Sequence, residues 1–459
     1  MSEKPSRRSF RRRMEELVTR LREEILSGLR PNGAYLPSLN ELTEQYQLSK
    51  NSVQKGLDQL VSESLIERVP SVGIRVIYRE AEEPALLRFG YYPSMYREAE
   101  LEQLLMDFHA QHPNIRVQTI PLIYQNYYET VKAYFSNDLL DVITINHHNF
   151  EQFRGRGQEP DIEFEQVVPS EETYPFLHRA FSIGSTLYVQ PFIFSPVILC
   201  YNPEHFRESG IPQPDESWTW DKLIEYSESL KGRNNRYPFY FYPHSDHRWP
   251  IFLLQSGFKL ERDPSGKARI CGTPFLEGLQ KSFELIQTQG IFPAFLAESD
   301  MDAEELFLQQ NISIMMTTYF NLNRLKHEAI PYALAPLPRL HTSKTLLLIT
   351  GLAVHKHSKQ KEAARTLVQF LTSYQAQLHI RQTTVSIPAM RKAAEWKGEE
   401  RINRPEAFDV YEKLVPTYAQ LSELRLEHED LSTIRNRLKL YWSGLEDLES
   451  TCKWLEDHL

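Results

Sequence analysis

The chain is 459 residues long, 41% hydrophobic and 25% charged, the composition of a soluble globular protein and more than one compact core can hold. No apolar run reaches the ~20 residues that span a bilayer as a helix. The formal net charge of −9 argues against nucleic acid, but residues 1–80 hold 14 Lys+Arg against 11 Asp+Glu, a net of +3, and the remaining 379 carry −12. A basic head on an acidic body confines any nucleic-acid contact to the head.

The N-terminal MSEKPSRRSFRRRMEE has basic residues with no apolar core behind them, so it does not read as a secretory signal, and a cytoplasmic location is expected. Residues 9–27 are predicted as a helix, with Met14, Leu17, Leu21 and Ile25 at 3–4 spacing and Gly28 as its stop. A loop with Pro31 and Gly33 leads into residues 36–60, LPSLNELTEQYQLSKNSVQKGLDQL, which read as two short helices with almost no linker. Ser38 and Glu41 form a capping box, and Leu39, Leu42 and Tyr46 share one apolar face. Gln47 and Leu48 make the turn, and Ser49 is the N-cap of a second helix whose core face is Val53, Leu57, Leu60 and Val61. Lys50, Asn51, Gln54 and Lys55 are left outward, types that reach phosphates and base edges in a major groove. On these residues alone an αα-hairpin with a solvated polar face fits equally well. LIERV and IRVIY then flank a short turn at residues 70–73, with Arg68 and Arg75 placed for phosphates. Helix, helix-turn-helix and hairpin in that order make a winged helix.

The order Gly28, Pro31, Gly33, Leu36-Pro37-Ser38, Glu41-Leu42, Ser49, Val53, Leu57, Leu60, Leu65-Ile66, Arg68 and Gly73 resembles the GntR-type winged helix. That resemblance implies double-stranded operator DNA as a partner, met by Ser38, Asn40, Ser49, Lys50, Asn51, Ser52, Gln54, Lys55, Arg68, Gly73 and Arg75. Where the family often has Arg, this chain has Asn40, Lys50 and Gln54, and Ser71 stands where the first wing glycine would be. Asn and Gln favour adenine where Arg favours guanine, so an operator less dependent on guanine is expected. Beside such a head, Arg7, Arg8, Arg11, Arg12 and Arg13 are expected to add sequence-independent phosphate contacts.

Residues 79–86, charged and carrying Pro84, read as a linker between a head at 1–78 and a body at 87–459. In the body LLRFGYY, IRVQTIPL and LLDVITIN are strands separated by helices around residues 101–108 and 125–136, a βαβαβ order that implies a parallel sheet. PFIFSPVILCYN, ISIMMTT and LLLITGLAVH are further strands, Thr273-Pro274 starts a helix, and KQKEAARTLVQFLTSYQAQ is strongly amphipathic. So many α/β units suggest two lobes, with a crevice beyond the carboxyl ends of the strands. The overall class is α/β.

Ile198-Leu199-Cys200-Tyr201-Asn202-Pro203-Glu204-His205-Phe206, Gly210-Ile211-Pro212, Trp218-Thr219-Trp220-Asp221-Lys222-Leu223 and Ile387-Pro388-Ala389 resemble the type 1 extracellular solute-binding proteins, whose two lobes close on a sugar. Gln310 stands where that family often has Gly before a strand. The resemblance implies a periplasmic-binding-protein-like sensor for a mono- or oligosaccharide. Aromatic faces and planar polar groups suit such a ligand, and Tyr92, Asn146, Tyr240, Trp249, Tyr319, Thr350 and Gly351 fall at or near strand ends where the crevice should lie. Core packing is the competing reading for each aromatic.

His147-His148, His244/His247 and His355/His357 have no convincing third ligand, so no metal and no cofactor is expected. Cys200, Cys271 and Cys452 lack metal-ligand spacing and read as isolated core thiols of a reducing compartment. No nucleophile elbow, P-loop or dinucleotide fingerprint is present. The expected protein is a non-enzymatic, effector-responsive homodimeric regulator without membrane attachment. The alternative is a carbohydrate-active enzyme with an autoregulatory DNA-binding head.

Overall fold

The computed structural model describes residues 7–78, 84–123, 126–154, 162–231, 236–288, 290–293 and 299–459, with the side chains of residues 7–11 outside that description. The expected linker lies outside the described residues except for 84–86, and so do the side chains of Arg7, Arg8 and Arg11. The chain divides into two compact units, Met1–Pro84 and Ala85–Leu459.

The first unit has helices α1 (Arg7–Leu26), α2 (Leu39–Tyr46) and α3 (Lys50–Ser62), then strands β1 (Ile66–Val69) and β2 (Gly73–Val76). Its core is Leu17, Val18, Leu21, Ile25, Leu42, Val53, Leu57 and Leu60, closed by Leu65, Ile66 and Val76 from the strands. A Cβ on Gly56 would lie 3.0 Å from Val18 Cγ2, so α3 is seated closely on α1. The capping box is present: Ser38 Oγ accepts from Glu41 N at 3.3 Å, and Glu41 Oε2 accepts from Ser38 N at 2.7 Å. Gln47 ends α2 in the left-handed region and makes the tight turn. Val61 departs from the expected face; it is exposed, because the helical repeat carries it past the edge of the buried stripe. β1 and β2 pair antiparallel from Ile66↔Val76 to Val69↔Gly73, and Ser71 at their turn takes φ 60°.

The second unit is a mixed sheet. Strands β3 (Ala85–Tyr91), β4 (Ile115–Pro121) and β5 (Val142–Asn146) are parallel, as the βαβαβ order requires, joined through α4 (Leu101–Gln111) and α5 (Tyr127–Ser136). Helix α6 (His147–Arg154) follows β5 directly. The next strands are β6 (Gln190–Tyr201), β7 (Tyr237–Tyr240), β8 (Ile312–Thr318) and β9 (Thr345–Val354). The main path through the sheet is β4-β3-β5-β9-β6-β8-β7, and the pairs β5·β9, β9·β6 and β6·β8 are antiparallel, so the parallel order of the first three strands does not extend through the rest of the sheet.

β6 is the seam. Residues 190–196 pair with β9 and 197–201 with β8, the change of partner falling after Pro196. The register with β9 shifts between Thr350 and Gly351, beside Pro191, a bulge that tolerates a residue with no N–H to donate. In the second half of β6 alternate residues feed opposite cores: Ile198 and Cys200 enter one, Val197, Leu199 and Tyr201 the other.

Helix α7 (Pro274–Gln287) starts at the expected Thr273 cap, with Pro274 at its first position, and receives α8 (His428–Trp442) and α9 (Leu448–His458) from the end of the chain. Trp442 Nε1 donates to Ser282 Oγ at 3.1 Å, and Glu456 Oε1 accepts from the amides of Ile270 and Cys271 at 2.9 and 2.8 Å. The cysteine expectation is corrected here. Cys271 and Cys452, 181 residues apart, form a disulfide, and only Cys200 is a buried free thiol.

Candidate functional site

Two surfaces carry the candidate chemistry, one on each unit. On the first, Ser38, Asn40, Ser49, Lys50, Asn51, Gln54, Lys55, Arg68, Gly73 and Arg75 are all exposed. Ser52 is not: it is buried, and its hydroxyl lies 2.7 Å from Ser49 Oγ, so it braces the start of α3. Arg68 is paired with Asp58 and Arg75 with Glu67. Such exposed pairs are worth ~0–1 kcal/mol and exchange readily for a phosphate. Arg13 Nη1 donates to the Gln47 carbonyl at 2.9 Å, so it fastens α1 to the helix-turn-helix turn.

On the second unit strand directions create the site. β5 ends at Asn146, opposite Thr350 of β9, while β8 ends at Thr318, opposite Val197 of β6. The carboxyl ends of strands from the two lobes therefore meet over the middle of β9, and residues 346–350 floor a cleft of about 1150 Å³. One wall is Arg97, Glu98 and Tyr128 with Asn146, His147, His148 and Glu151 at the start of α6; another is His247, Arg248, Asp300, Thr318, Phe320 and Asn321. A third comes from residues 420–431, including Arg425 and His428.

Of the seven residues expected to bind ligand, Asn146 and Thr350 line this cleft, and the other five do not. Tyr92 is buried behind the wall, where its hydroxyl accepts from Asn146 N at 3.1 Å and from Asn149 Nδ2 at 2.7 Å. It holds Asn146 in place. Tyr240 packs on Phe292 in the interior, with centroids 4.8 Å apart. Trp249 is 1% exposed, its indole N–H donating to Asp246 Oδ1 at 3.3 Å. Tyr319 is fully buried and donates to the Phe408 carbonyl at 2.7 Å. At Gly351 a Cβ would come within 2.4 Å of Val189 Cγ1 and 2.8 Å of the Gln190 oxygen, so this glycine serves close packing of the sheet. In each case the aromatic or glycine signal at a strand end marked core packing.

The residues missed are charged. Arg248, 2% exposed, donates from Nε to the Met316 carbonyl at 3.1 Å and lies 3.3 Å from Asp300, whose other oxygen accepts from Ser245 Oγ at 2.8 Å. Beneath them Thr317 Oγ1 donates to Glu304 at 2.7 Å, and burial pushes that carboxyl up to about 7. Glu98 is likewise buried and pushed up to about 7 by desolvation. His148 Nε2 meets His428 Nδ1 at 2.8 Å; burial first, then the neighbouring His428, push His148 down to about 4, so His148 is neutral near pH 7. The usable signal was polar residues inside an apolar stretch, His247-Arg248 beside Trp249.

A solute-binding fold with a winged-helix head is the class these features define. Residues 92–378 match the bacterial extracellular solute-binding protein family, and residues 13–76 match the gntR family of bacterial regulatory proteins. The chain belongs to the bacterial extracellular solute-binding protein family, and a GntR-type winged helix is fused ahead of that domain.

Over 76 residues it is 28% identical to "Probable transcriptional regulator PhnF" of Escherichia coli (strain K12), a match covering 17% of this chain and 31% of that protein. The chain thus spans about a third of that relative's length. Similar solved structures include the GacH receptor of Streptomyces glaucescens, solved unliganded and with acarbose (TM-score 0.68, 13% identity, 82% of this chain and 98% of that one). Maltose-bound MalE3 of T. maritima has a TM-score of 0.67 at 18% identity, with the same coverage. A substrate-binding protein of Listeria monocytogenes in complex with cycloalternan gives 0.66 at 15% identity, over 82% and 97% of the two chains. At these identities the likeness is one of fold. No helix among the described residues is long and apolar enough to cross a membrane.

Proposed function

We propose that this chain is a cytoplasmic one-component transcription regulator in which a sugar-like solute, bound in the cleft of residues 87–459, changes the operator affinity of a homodimer reading DNA through residues 1–78. The observation that carries this reading is a cleft built between two lobes, over a strand they share, in the same chain as an exposed polar helix of winged-helix type. Ligand bound between lobes shifts an open–closed equilibrium, and 1–3 kcal/mol of coupling, about 5–150-fold in affinity, is enough to switch a promoter. Lys50, Asn51, Gln54 and Lys55 are the groups offered to the major groove, with Arg68 and Arg75 on the phosphates. A two-fold dimer predicts half-sites about one helical turn apart. Maltose, acarbose and cycloalternan occupy the solved neighbours, which supports a carbohydrate here. The role is binding, with no turnover of the solute.

The test uses the full chain and the duplex it selects from a random pool, followed by fluorescence anisotropy with and without mono- and disaccharides. A change in DNA affinity of at least about fivefold is expected with a sugar that binds. Binding of no sugar, or binding that leaves DNA affinity unmoved, overturns the sensor reading. Hydrolysis of the added sugar overturns the assignment as a binding protein.

A further inference from the structure

The cleft is lined differently from what a stacked neutral sugar calls for. None of the six Trp lines it, and its carbocyclic aromatics are Tyr128 and Phe320, while four arginines do: Arg97, Arg154, Arg248 and Arg425. Two of these are matched within the protein, Arg154 with Glu151 at 3.4 Å and Arg248 with Asp300 at 3.3 Å. Among the described residues no carboxylate lies at salt-bridge distance from Arg97 or Arg425. Arg97 reaches, among the described residues, only Met301 Sδ, at 3.9 Å, and its buried Nε has no acceptor there.

The lining carboxylates do not supply that acceptor. Glu151 is taken up by Arg154 and His147, and Asp300 by Arg248 and Ser245. Glu427 caps α8, and Glu429 is exposed to solvent. Glu98, next in sequence to Arg97, is pushed up to about 7 by desolvation against the opposing pull of the Arg97 charge, and it makes no ion pair with that guanidinium. A guanidinium with a buried donor and no ion-pair partner among the described residues matches a carboxylate or phosphate in its planar, two-pronged geometry.

We infer that the solute is a polyhydroxylated small molecule bearing one anionic group, carboxylate or phosphate, which accepts from Arg97 in a cleft where Arg425 adds a second uncompensated positive charge. This rests on the solute-binding reading above and narrows it from sugars in general to acidic sugars. The polar side chains of Asn146, Thr318, Asn321 and Thr350 then remain for the hydroxyls.

Isothermal titration of the full chain with glucose, maltose, glucuronate and glucose 6-phosphate tests it. Tighter binding of glucuronate or of glucose 6-phosphate than of the neutral probes is the expected result, and which of the two binds identifies the anion as carboxylate or phosphate. Binding of glucose or maltose with no preference for either anion overturns this inference and leaves the sugar-sensor reading standing. Binding of none of the four overturns both. Arg97→Gln should lower affinity for the preferred anionic probe about 10–100-fold, the loss of charge-assisted hydrogen bonds, with Arg97→Lys recovering part of it. DNA affinity and the melting midpoint of Arg97→Gln report whether it is folded; an unchanged anion affinity in a folded variant overturns the assignment of Arg97.

Discussion

In the head, the groups offered to a partner come from one run of residues, 38–75, and nearly all are exposed. In the body, the cleft draws on stretches as far apart as Ser94 and Leu431, and some of its polar members are engaged with one another, Arg248 with Asp300 and His148 with His428. The head exposes a local pattern and needs the core only as a stand. The body makes its site out of the packing itself, where two sets of strand ends converge on β9. Local patterns therefore carry function in one unit and conceal it in the other.

The contrast can be tested at its base, in the independence of the two cores. Leu57→Ala should cost the head about 2–5 kcal/mol through the cavity it leaves, while the body's calorimetric transition stays where it is. A matching shift of both transitions would break the picture of two compact units. The reciprocal experiment removes the 181-residue closure in the body. Cys452→Ser, or reduction of the bond to Cys271, is expected to destabilise the body by about 2–4 kcal/mol, with the head's transition unmoved.

Acid should separate the units as well. His148 has a folded-state value of about 4 against the ordinary 6.5, because burial disfavours its charged form. The unfolded chain therefore takes up the proton first, and the body loses stability as pH falls from 6.5 toward 4, by up to roughly 3 kcal/mol, with no such loss above 6.5. Urea denaturation of the wild type and of His148→Asn across that range should show a shallower slope in the variant. A smaller effect is expected on DNA. Gln54→Ala should weaken binding of the selected duplex by about 1–3 kcal/mol, chiefly at an adenine position, measured by anisotropy against base-substituted duplexes.

The smallest concerns Ser71, which holds φ 60° at the wing turn. Ser71→Gly should relieve left-handed strain and, after glycine's own entropy cost, stabilise the head by about 0.5–1 kcal/mol in thermal melts.

Ser71 also shows how much of the molecule was legible. It and Gln310 were marked as places where glycine was to be expected, and both adopt positive φ, at 60° and 57°. The pattern of the chain had preserved the backbone conformation without the residue that makes it easy. The capping box, the Thr273-Pro274 start and the first three strands were readable for the same reason: each depends on neighbours a few residues away. The antiparallel insertion of β9 between β5 and β6, the Cys271–Cys452 bond and the His148–His428 contact join residues more than a hundred positions apart, and no local spacing encodes them. The aromatic residues misled because large rings satisfy a core as well as a sugar. Tyr92 stands one step behind the cleft, its hydroxyl supporting the Asn146 that lines it.

The shared strands have a mechanical consequence. β6 and β9 run without interruption from one lobe into the other, hydrogen-bonded to each other from Leu347↔Pro196 to Leu352↔Gln190. The lobes are thus joined by a sheet, which resists bending more than a loop does and yields mostly by twisting. Any relative rotation of the lobes must be absorbed as extra twist, concentrated where the bulge at Thr350/Gly351 and the prolines of β6 already interrupt the ladder. Such a joint behaves as a torsion spring, and under the proposed function a solute over residues 346–350 would lie along its axis.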